Sequence, residues 1–377
     1  MKNTNKTPFV ILTILFVLIL ATVLFMMFAV HKNREVLGAP GPKVSLLNNL
    51  RYSIRLYRNL DDLQEKVNFE SDSERKFELN YSESATDVCR NLQEEGFVNY
   101  AISTCDLMIY KGYDRSLSPG TYTISNGLNT IETLEFISNG ENRDLHFTIF
   151  AGWRLEEIAQ VIDQLGFEFD GESFLAYAKN PPPEIQSNLQ LPAGRSLEGY
   201  MQPGEYSLKP TITSEEFVDE ALGRTQAVIN EAKLLRNDQS QSMTIDQIII
   251  LASIIQRETL ASEEMPLIAS VFFNRLEINM PLQTDPTVQY AIGNNQNSET
   301  WWKSPLTYDD LAIESDYNTY KVFGLTPGAI SNPGREAIMA AFRPEQSDYF
   351  YFRAKCDGSL THNFATTYDE HLANGCE

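Results

Sequence analysis

Glu258 stands where an apolar helical stripe runs out. In TIDQIIILASIIQRET, residues 244–259, Ile248, Leu251, Ile255 and Glu258 fall on one face at helical spacing. Thr244 followed three residues later by Gln247 is a capping box that starts the helix, and the pattern ends near Thr259. A glutamate in that place is disfavoured as an anion twice, by desolvation and by the negative end of the helix dipole. Both effects raise its pKa, and a carboxyl that keeps its proton near neutral pH suits a general acid acting on a poor leaving group such as a glycosidic oxygen. The alternative is that the helix turns slightly, so that Glu258 reaches solvent and pairs with Arg257 or Arg275.

Other groups that could do chemistry follow closely. Gln283, Thr284, Asp285, Pro286 and Thr287 form a polar loop in which the proline is expected to hold Asp285 extended. Asp285 is the main rival to Glu258 as an acid or base, or else a cap for the segment that begins at Pro286. Between Met265 and Leu276 a second helix offers Leu267, Ile268, Val271, Phe272 and Leu276 for packing, with Asn274 and Arg275 near its end. Asn274 could hold a sugar acetamido group through paired hydrogen bonds, or simply cap its helix. Asn318 and Tyr320, in the run 317–320, and the turning segment 324–334 have the composition of a polysaccharide groove, which is also that of an ordinary loop. Ser253 lacks any G-x-S-x-G elbow, so a serine hydrolase is excluded.

The region resembles the catalytic part of the membrane-bound endolytic murein transglycosylases, the MltG or YceG-like family. LASIIQRET is similar to that family's catalytic-glutamate helix and VFFNRLEINMPLQTDPTVQYAIG to the segment after it; YNTYKVFGLTPGAISNPGREAI and HNFATTYDEH follow in family order, so the resemblance covers most of residues 75–377. It implies that Glu258 is catalytic; Asn274, Gln283, Asp285, Asn318, Tyr320 and His362 are the candidate substrate contacts, and His362, in a segment that matches the family's terminal motif, could donate to the carboxyl or to a sugar oxygen unless it is a structural histidine. The implied reaction is cleavage of MurNAc–GlcNAc bonds inside peptidoglycan strands with formation of 1,6-anhydroMurNAc ends, terminating or trimming nascent strands. The rivals are a non-catalytic peptidoglycan-binding scaffold and a hydrolytic muramidase. No cofactor and no metal are implied, and peptidoglycan synthases are the implied protein partners. LEGYMQPGEY, residues 197–206, departs from the family pattern LEGFLFPDTY at Gln202 and Gly204, so no substrate contact is carried over to it.

The elements that must position this chemistry make an α+β chain with an N-terminal anchor. Phe9–Val30 is an apolar run broken only by Thr13 and Thr22, long enough to cross a bilayer and longer than a signal-peptide core. Lys2 and Lys6 on one side face His31, Lys32, Arg34 and Lys43 on the other, so charge does not orient the span; a cell-wall substrate would put everything after it outside. Leu47, Leu50, Ile54, Tyr57 and Leu60 then mark a juxtamembrane helix within 44–67. Three strand–turn–helix units follow, beginning near Phe77, Leu117 and Leu145, and in the family such units form a LysM-like glycan-binding region. Phe150, Trp153, Tyr110 and Tyr122 are either sugar platforms or core. Residues 181–195 are expected to be a surface loop. The expected division is a cytoplasmic tail (1–7), a transmembrane anchor (8–30), a juxtamembrane linker and helix (31–74), LysM-like small α+β modules (75–180) and an α+β catalytic domain (181–377).

A formal net charge of −21 argues against a nucleic-acid partner, because phosphate binding needs clustered Lys and Arg that this sequence does not display. Cys89, Cys105, Cys356 and Cys376 have no C-x-x-C spacing, which disfavours zinc; they allow two local disulfides, 89–105 and 356–376, or four free thiols.

Overall fold

The computed structural model describes residues 7–69, 73–80, 83–294 and 300–375, and the chain divides into two compact units, residues 1–146 with 207–210 and residues 147–206 with 211–377. In the first unit, α1 (Thr7–Leu37) contains the apolar run and continues beyond it. It is the one helix among the described residues that is long and apolar enough to cross a membrane. After it come α2 (Leu46–Arg58) and α3 (Leu60–Gln64), which break at Asn59. Their buried face is Ser53, Leu56, Leu60 and Leu63, whereas Leu47 is exposed. The expected stripe therefore shifts by part of a turn, because α2 is pinned to α1 by Asn33 Nδ2 donating to the Ser53 carbonyl at 2.6 Å.

Next in this unit are β1 (Glu74–Leu79), α4 (Ala85–Glu94), α5 (Ala101–Lys111), β2 (Gly120–Ser125), α6 (Thr130–Ser138) and β3 (Arg143–Ile149), whose last residues enter the second unit. β1 pairs antiparallel with β2, Phe77 opposite Tyr122, and β2 pairs antiparallel with β3. α4 and α6 start on capping boxes from Ser84 and Asn129. The helix α5 was not anticipated from the sequence; it has no side-chain cap, and its mixed surface buries Asp106 as well as Leu107 and Met108. Cys89 of α4 and Cys105 of α5 form a disulfide. Cys356 is not free, while Cys376 lies outside the described residues. Tyr110 and Tyr122 are fully buried in the core, their hydroxyls donating to the Gly38 and Ser118 carbonyls, so neither is a sugar platform.

The second unit continues with α7 (Leu155–Leu165), α8 (Gly171–Lys179), α9 (Pro183–Asn188), β4 (Gly204–Leu208, its last two residues in the first unit), α10 (Ser214–Lys233), α11 (Ile245–Glu258), α12 (Met265–Glu277), α13 (Asp285–Ile292), α14 (Tyr308–Leu311), α15 (Arg335–Phe342), the hairpin of β5 (Tyr351–Ala354) and β6 (His362–Ala365), and α16 (Tyr368–Ala373). α9 occupies part of the expected loop 181–195, with Pro183 at its first turn where no intrahelical donor is needed. α11 is buried on every side from Ile248 to Gln256, not on a single stripe, and packs against α12, α13 and α15. Such a helix is a core element around which the others assemble.

Asn332 holds this core to the segment Leu197–Tyr206. Its Oδ1 accepts from the Gly199 and Met201 amides, and its Nδ2 donates to the Trp153 carbonyl and to Glu198 Oε1. Gly199 has φ +93, and a Cβ there would fall 2.6 Å from Ala329 Cβ and 2.9 Å from Ile249 Cγ2 on α11. The segment with the departures at Gln202 and Gly204 is thus a packing element, and Leu197, Tyr200, Met201 and Tyr206 are core residues. Replacing Asn332 by Ala strands two amides and a carboxyl without water, an expected loss of about 3 kcal/mol. Thermal unfolding of the full-length protein is expected to show a melting temperature lower by roughly 5–10 °C for Asn332→Ala.

Candidate active site

α11 begins as its sequence requires. Thr244 Oγ1 accepts from the Gln247 amide at 3.2 Å and Gln247 Oε1 from the Thr244 amide at 2.8 Å. The helix ends at Glu258, with Thr259 already extended. Glu258 is thereby delivered to a cleft of about 350 Å³ shared with Arg275, Gln283, Asp285, Tyr320, Tyr351 and His371 among others. Part of Glu258 opens onto the cleft, yet the carboxyl is otherwise enclosed by protein, and among the described residues it has no hydrogen bond or ion-pair contact. Burial above all, and then the negative charge of Asp285, push its pKa up to about 8 against the opposing pull of Arg275 and Arg257.

The wall carrying Asp285 is a strap pinned to Thr319. The Gln283 amide donates to the Thr319 carbonyl at 3.1 Å, the Thr284 amide to Thr319 Oγ1 at 3.0 Å, and the Thr287 and Thr319 hydroxyls meet at 2.8 Å. Gln283 is held at φ +49, a left-handed conformation that a residue with a Cβ rarely adopts. With the strap so fixed, Asp285 opens α13 instead of standing extended before Pro286, and its side chain makes no cap. Its Oδ1 accepts the Tyr320 hydroxyl at 2.6 Å. Burial first and Asp285 second push the Tyr320 hydroxyl well above the usual phenol range, so it stays protonated as a donor.

The remaining sequence candidates are placed elsewhere. Both donors of Asn274 Nδ2 are used on the Ser347 and Tyr349 carbonyls. Asn318 is fully buried, with Nδ2 on the Leu311 and Ile313 carbonyls and Oδ1 accepting the Tyr320 amide, so that it orders the loop presenting Tyr320. His362 Nδ1 lies 2.8 Å from Glu264 Oε2, and the His362 amide donates to Oε1 of the same carboxylate. None of these three lines the cleft.

Arg275, expected only as an ion-pair partner for Glu258, and Tyr351, Tyr368 and His371, which the sequence does not single out, complete it. Arg275 is buried; its Nε donates to the Phe350 carbonyl and its Nη1 to the Leu282 carbonyl, both at 2.6 Å, so one cation ties α12 to the hairpin and to the strap. Desolvation pulls its pKa down while the hydroxyl of Tyr351 and the carboxyl of Glu258 act to raise it. Tyr351, Tyr368 and His371 form an aromatic wall, with Tyr368 and His371 stacked at 6.0 Å. The three-residue spacing of Tyr368 and His371 puts both on one face of α16, a signal present in TTYDEH although His362 drew the attention. Burial, then Arg353 and Arg275, lower the His371 pKa, keeping the ring neutral. Of the other polar candidates, Ser253 is structural, accepting from the Ile330 amide and donating to the Ile250 carbonyl. Glu198 is a second buried carboxyl, pushed up to about 8 by burial and then by Glu156, but it lies under Asn332 and not in the cleft.

Taken together, the cleft offers a protonated carboxyl, a carboxylate with its hydroxyl donor, a buried cation and an aromatic wall, a set able to protonate a leaving oxygen and to stack against an apolar ring face. The model of the YceG-like family matches residues 77–376. An endolytic murein transglycosylase of Bacillus subtilis strain 168 is 32% identical over 274 residues, covering 70% of this chain and 73% of the relative. One of Streptococcus pneumoniae serotype 2 is 28% identical over 314 residues, covering 77% of this chain and 56% of the relative. A crystal structure of a yceG-like protein from Listeria monocytogenes superposes with a TM-score of 0.56 at 30% identity, over 80% of this chain and 99% of that one. With the glutamate helix, the strap and the C-terminal wall all inside the matched span, the chain belongs to the YceG-like family.

Proposed function

We propose that this protein is a membrane-anchored endolytic peptidoglycan lytic transglycosylase, with Glu258 as its acid and base. The observation that carries the reading is the enclosed carboxyl of Glu258, without a hydrogen-bond or ion-pair partner among the described residues, at the head of a cleft walled by aromatic rings. Glu258 gives its proton to the oxygen between N-acetylmuramic acid and N-acetylglucosamine as the C1–O bond breaks. The carboxylate so formed takes the proton from the C6 hydroxyl of the same muramic acid, whose oxygen closes on C1 as the 1,6-anhydro ring. The protein thus returns to its starting state, and no water is consumed. The intramolecular hydroxyl has a large effective-concentration advantage over water. Gln283, Asp285 and Tyr320 contact the glycan, while Asn274, Asn318 and His362 hold the walls in place.

α1 is the anchor and the cleft lies on the extracytoplasmic side of the cell membrane, where peptidoglycan is found. The sequence-based division is retained in this proposal, with residues 75–180 as a LysM-like glycan-binding region and 181–377 as the catalytic region. Its support is the succession β1-α4-α5-β2 with β1 antiparallel to β2, a small strand–helix–helix–strand module. Peptidoglycan synthases are the proposed protein partners.

Asp285 favours one rival. It shares the cleft and acts electrostatically on Glu258, so a second carboxylate is available to activate water in a muramidase. Product analysis separates the two. Purified glycan strands are expected to yield anhydro ends, lighter by one water than hydrolysed ends, and Glu258→Gln is expected to lower kcat by roughly 10²–10⁴-fold with glycan binding retained. Reducing ends formed in proportion to cleavage would assign the muramidase, and near wild-type turnover of the variant would remove Glu258 from the chemistry.

The pH profile has a definite sign. The first step needs the protonated carboxyl, and Glu258 loses its proton as pH rises through about 8. Accordingly kcat/KM is expected to fall about tenfold per pH unit above that value. A decline beginning near pH 5 would mean a carboxyl with an ordinary pKa.

Orientation is tested separately. A cysteine placed at the exposed Ala193 is expected to react with an impermeant thiol reagent on intact cells stripped of any outer membrane. Labelling only after lysis would put the cleft in the cytoplasm and overturn the proposed function.

A further inference from the structure

In a helix, residues 9–30 rise about 33 Å, close to the ~30 Å hydrocarbon thickness of a bilayer. On the reading of α1 as an anchor, on which this inference rests, Phe25 and Phe28 lie in the last turns of the span. Tyr57 of α2 packs edge-on against both, with ring centroids 5.8 and 5.6 Å away. Because Asn33 meets Ser53 while Phe25 and Phe28 meet Tyr57, α2 runs back along α1 towards the membrane. Its C-terminal end, not its N-terminal end, is the low end.

Beside that low end, Arg55 pairs with Asp106 of α5 at 2.8 Å, and Asn59, Tyr100 and Ile102 line one shallow depression. Tyr100 is 50% exposed and Ile102 71% exposed. We propose that this end of the first unit, Tyr57–Arg58 with Tyr100 and Ile102, enters the interfacial layer of the phospholipid bilayer around α1. α1 is exposed and apolar along the span, Tyr100 and Ile102 are exposed apolar side chains at the low end, and a tyrosine has its apolar body and polar tip suited to that depth. Arg58, exposed and without an ion pair among the described residues, stands at that low end, at the level of lipid phosphates. Asp61 and Asp62 follow at once, so apolar contact and not net charge carries the attachment. The first unit then rests against the membrane at a set height and does not swing freely on its anchor.

The test uses the full-length protein in phospholipid vesicles, with an environment-sensitive NBD fluorophore on Ile102→Cys. Leu47→Cys is the reference, being 81% exposed but at the opposite end of α2. The label at 102 is expected to emit at shorter wavelength and to be quenched at least twofold by lipids carrying a nitroxide high on the acyl chain, while the label at 47 is unaffected. Equal behaviour at the two positions would overturn the proposal, as would a blue-shifted label at 102 that lipid nitroxides do not quench, since that label would be covered by protein. Flotation after alkaline extraction distinguishes the two levels of failure. A chain released from the vesicles refutes the anchor, and this inference with it; a retained chain with an unquenched label refutes this inference alone.

Discussion

Taking a carboxylate out of water costs on the order of several kcal/mol, and the position of Glu258 imposes that cost on the charged form alone. α11 can present the residue in this way because it is itself buried on all sides, so its last turn opens into a cleft rather than into bulk solvent. The neutral acid needs no counter-ion, and none is in ion-pair contact with it among the described residues. Had Arg257 or Arg275 closed on Glu258, the same glutamate would be an ordinary ion pair with a depressed pKa. The arrangement of the second unit therefore turns on keeping two arginines engaged elsewhere: Arg275 on backbone carbonyls, and Arg257 against the face of Trp302, 3.7 Å from its centroid.

The walls are held by polar side chains that do no chemistry in the proposed reaction. Asn274 and Asn332 each satisfy several backbone groups of distant segments, Asn318 satisfies three within its own loop, and Thr319 Oγ1 accepts the Thr284 amide, so loops without regular structure have fixed positions. A buried amide with every donor and acceptor used is more specific than an apolar contact, since any shift leaves a polar group unpaired. This explains how a region with only a four-residue hairpin pairing on one side can form a defined cleft.

Local signals in the sequence were strong where they were chemical. The Thr244–Gln247 box, the apolar period and the stop at Thr259 together located α11 and placed Glu258 at its end. The strap 283–287 was legible as a rigid polar loop, but not its conformation, because Thr319 lies more than thirty residues away and overrides the preference of a residue before proline. Asn274, Asn318 and His362 look like ligand contacts in the sequence because a polar side chain near a site has the same signature whether it faces a sugar or a carbonyl. Tyr110 and Tyr122 were ambiguous for the same reason, and only the packing of α5 and β2 decides for the core. The helix α5 itself has neither a clean stripe nor a side-chain cap to announce it.

Arg275 gives the cleft a property that follows from timing. While Glu258 holds its proton, this buried cation has backbone carbonyls around it but no counter-ion in hydrogen-bond contact among the described residues. Once the proton has moved to a leaving oxygen, a carboxylate exists within its field, and the attraction between them appears for the first time. An interaction of this kind is absent from the resting complex and grows along the reaction coordinate, which is the condition for lowering a barrier without tightening the binding of substrate. The same attraction makes the carboxylate a weaker base, so in the proposed reaction the second transfer, from the C6 hydroxyl back to Glu258, runs with closure of that oxygen on C1 and not ahead of it.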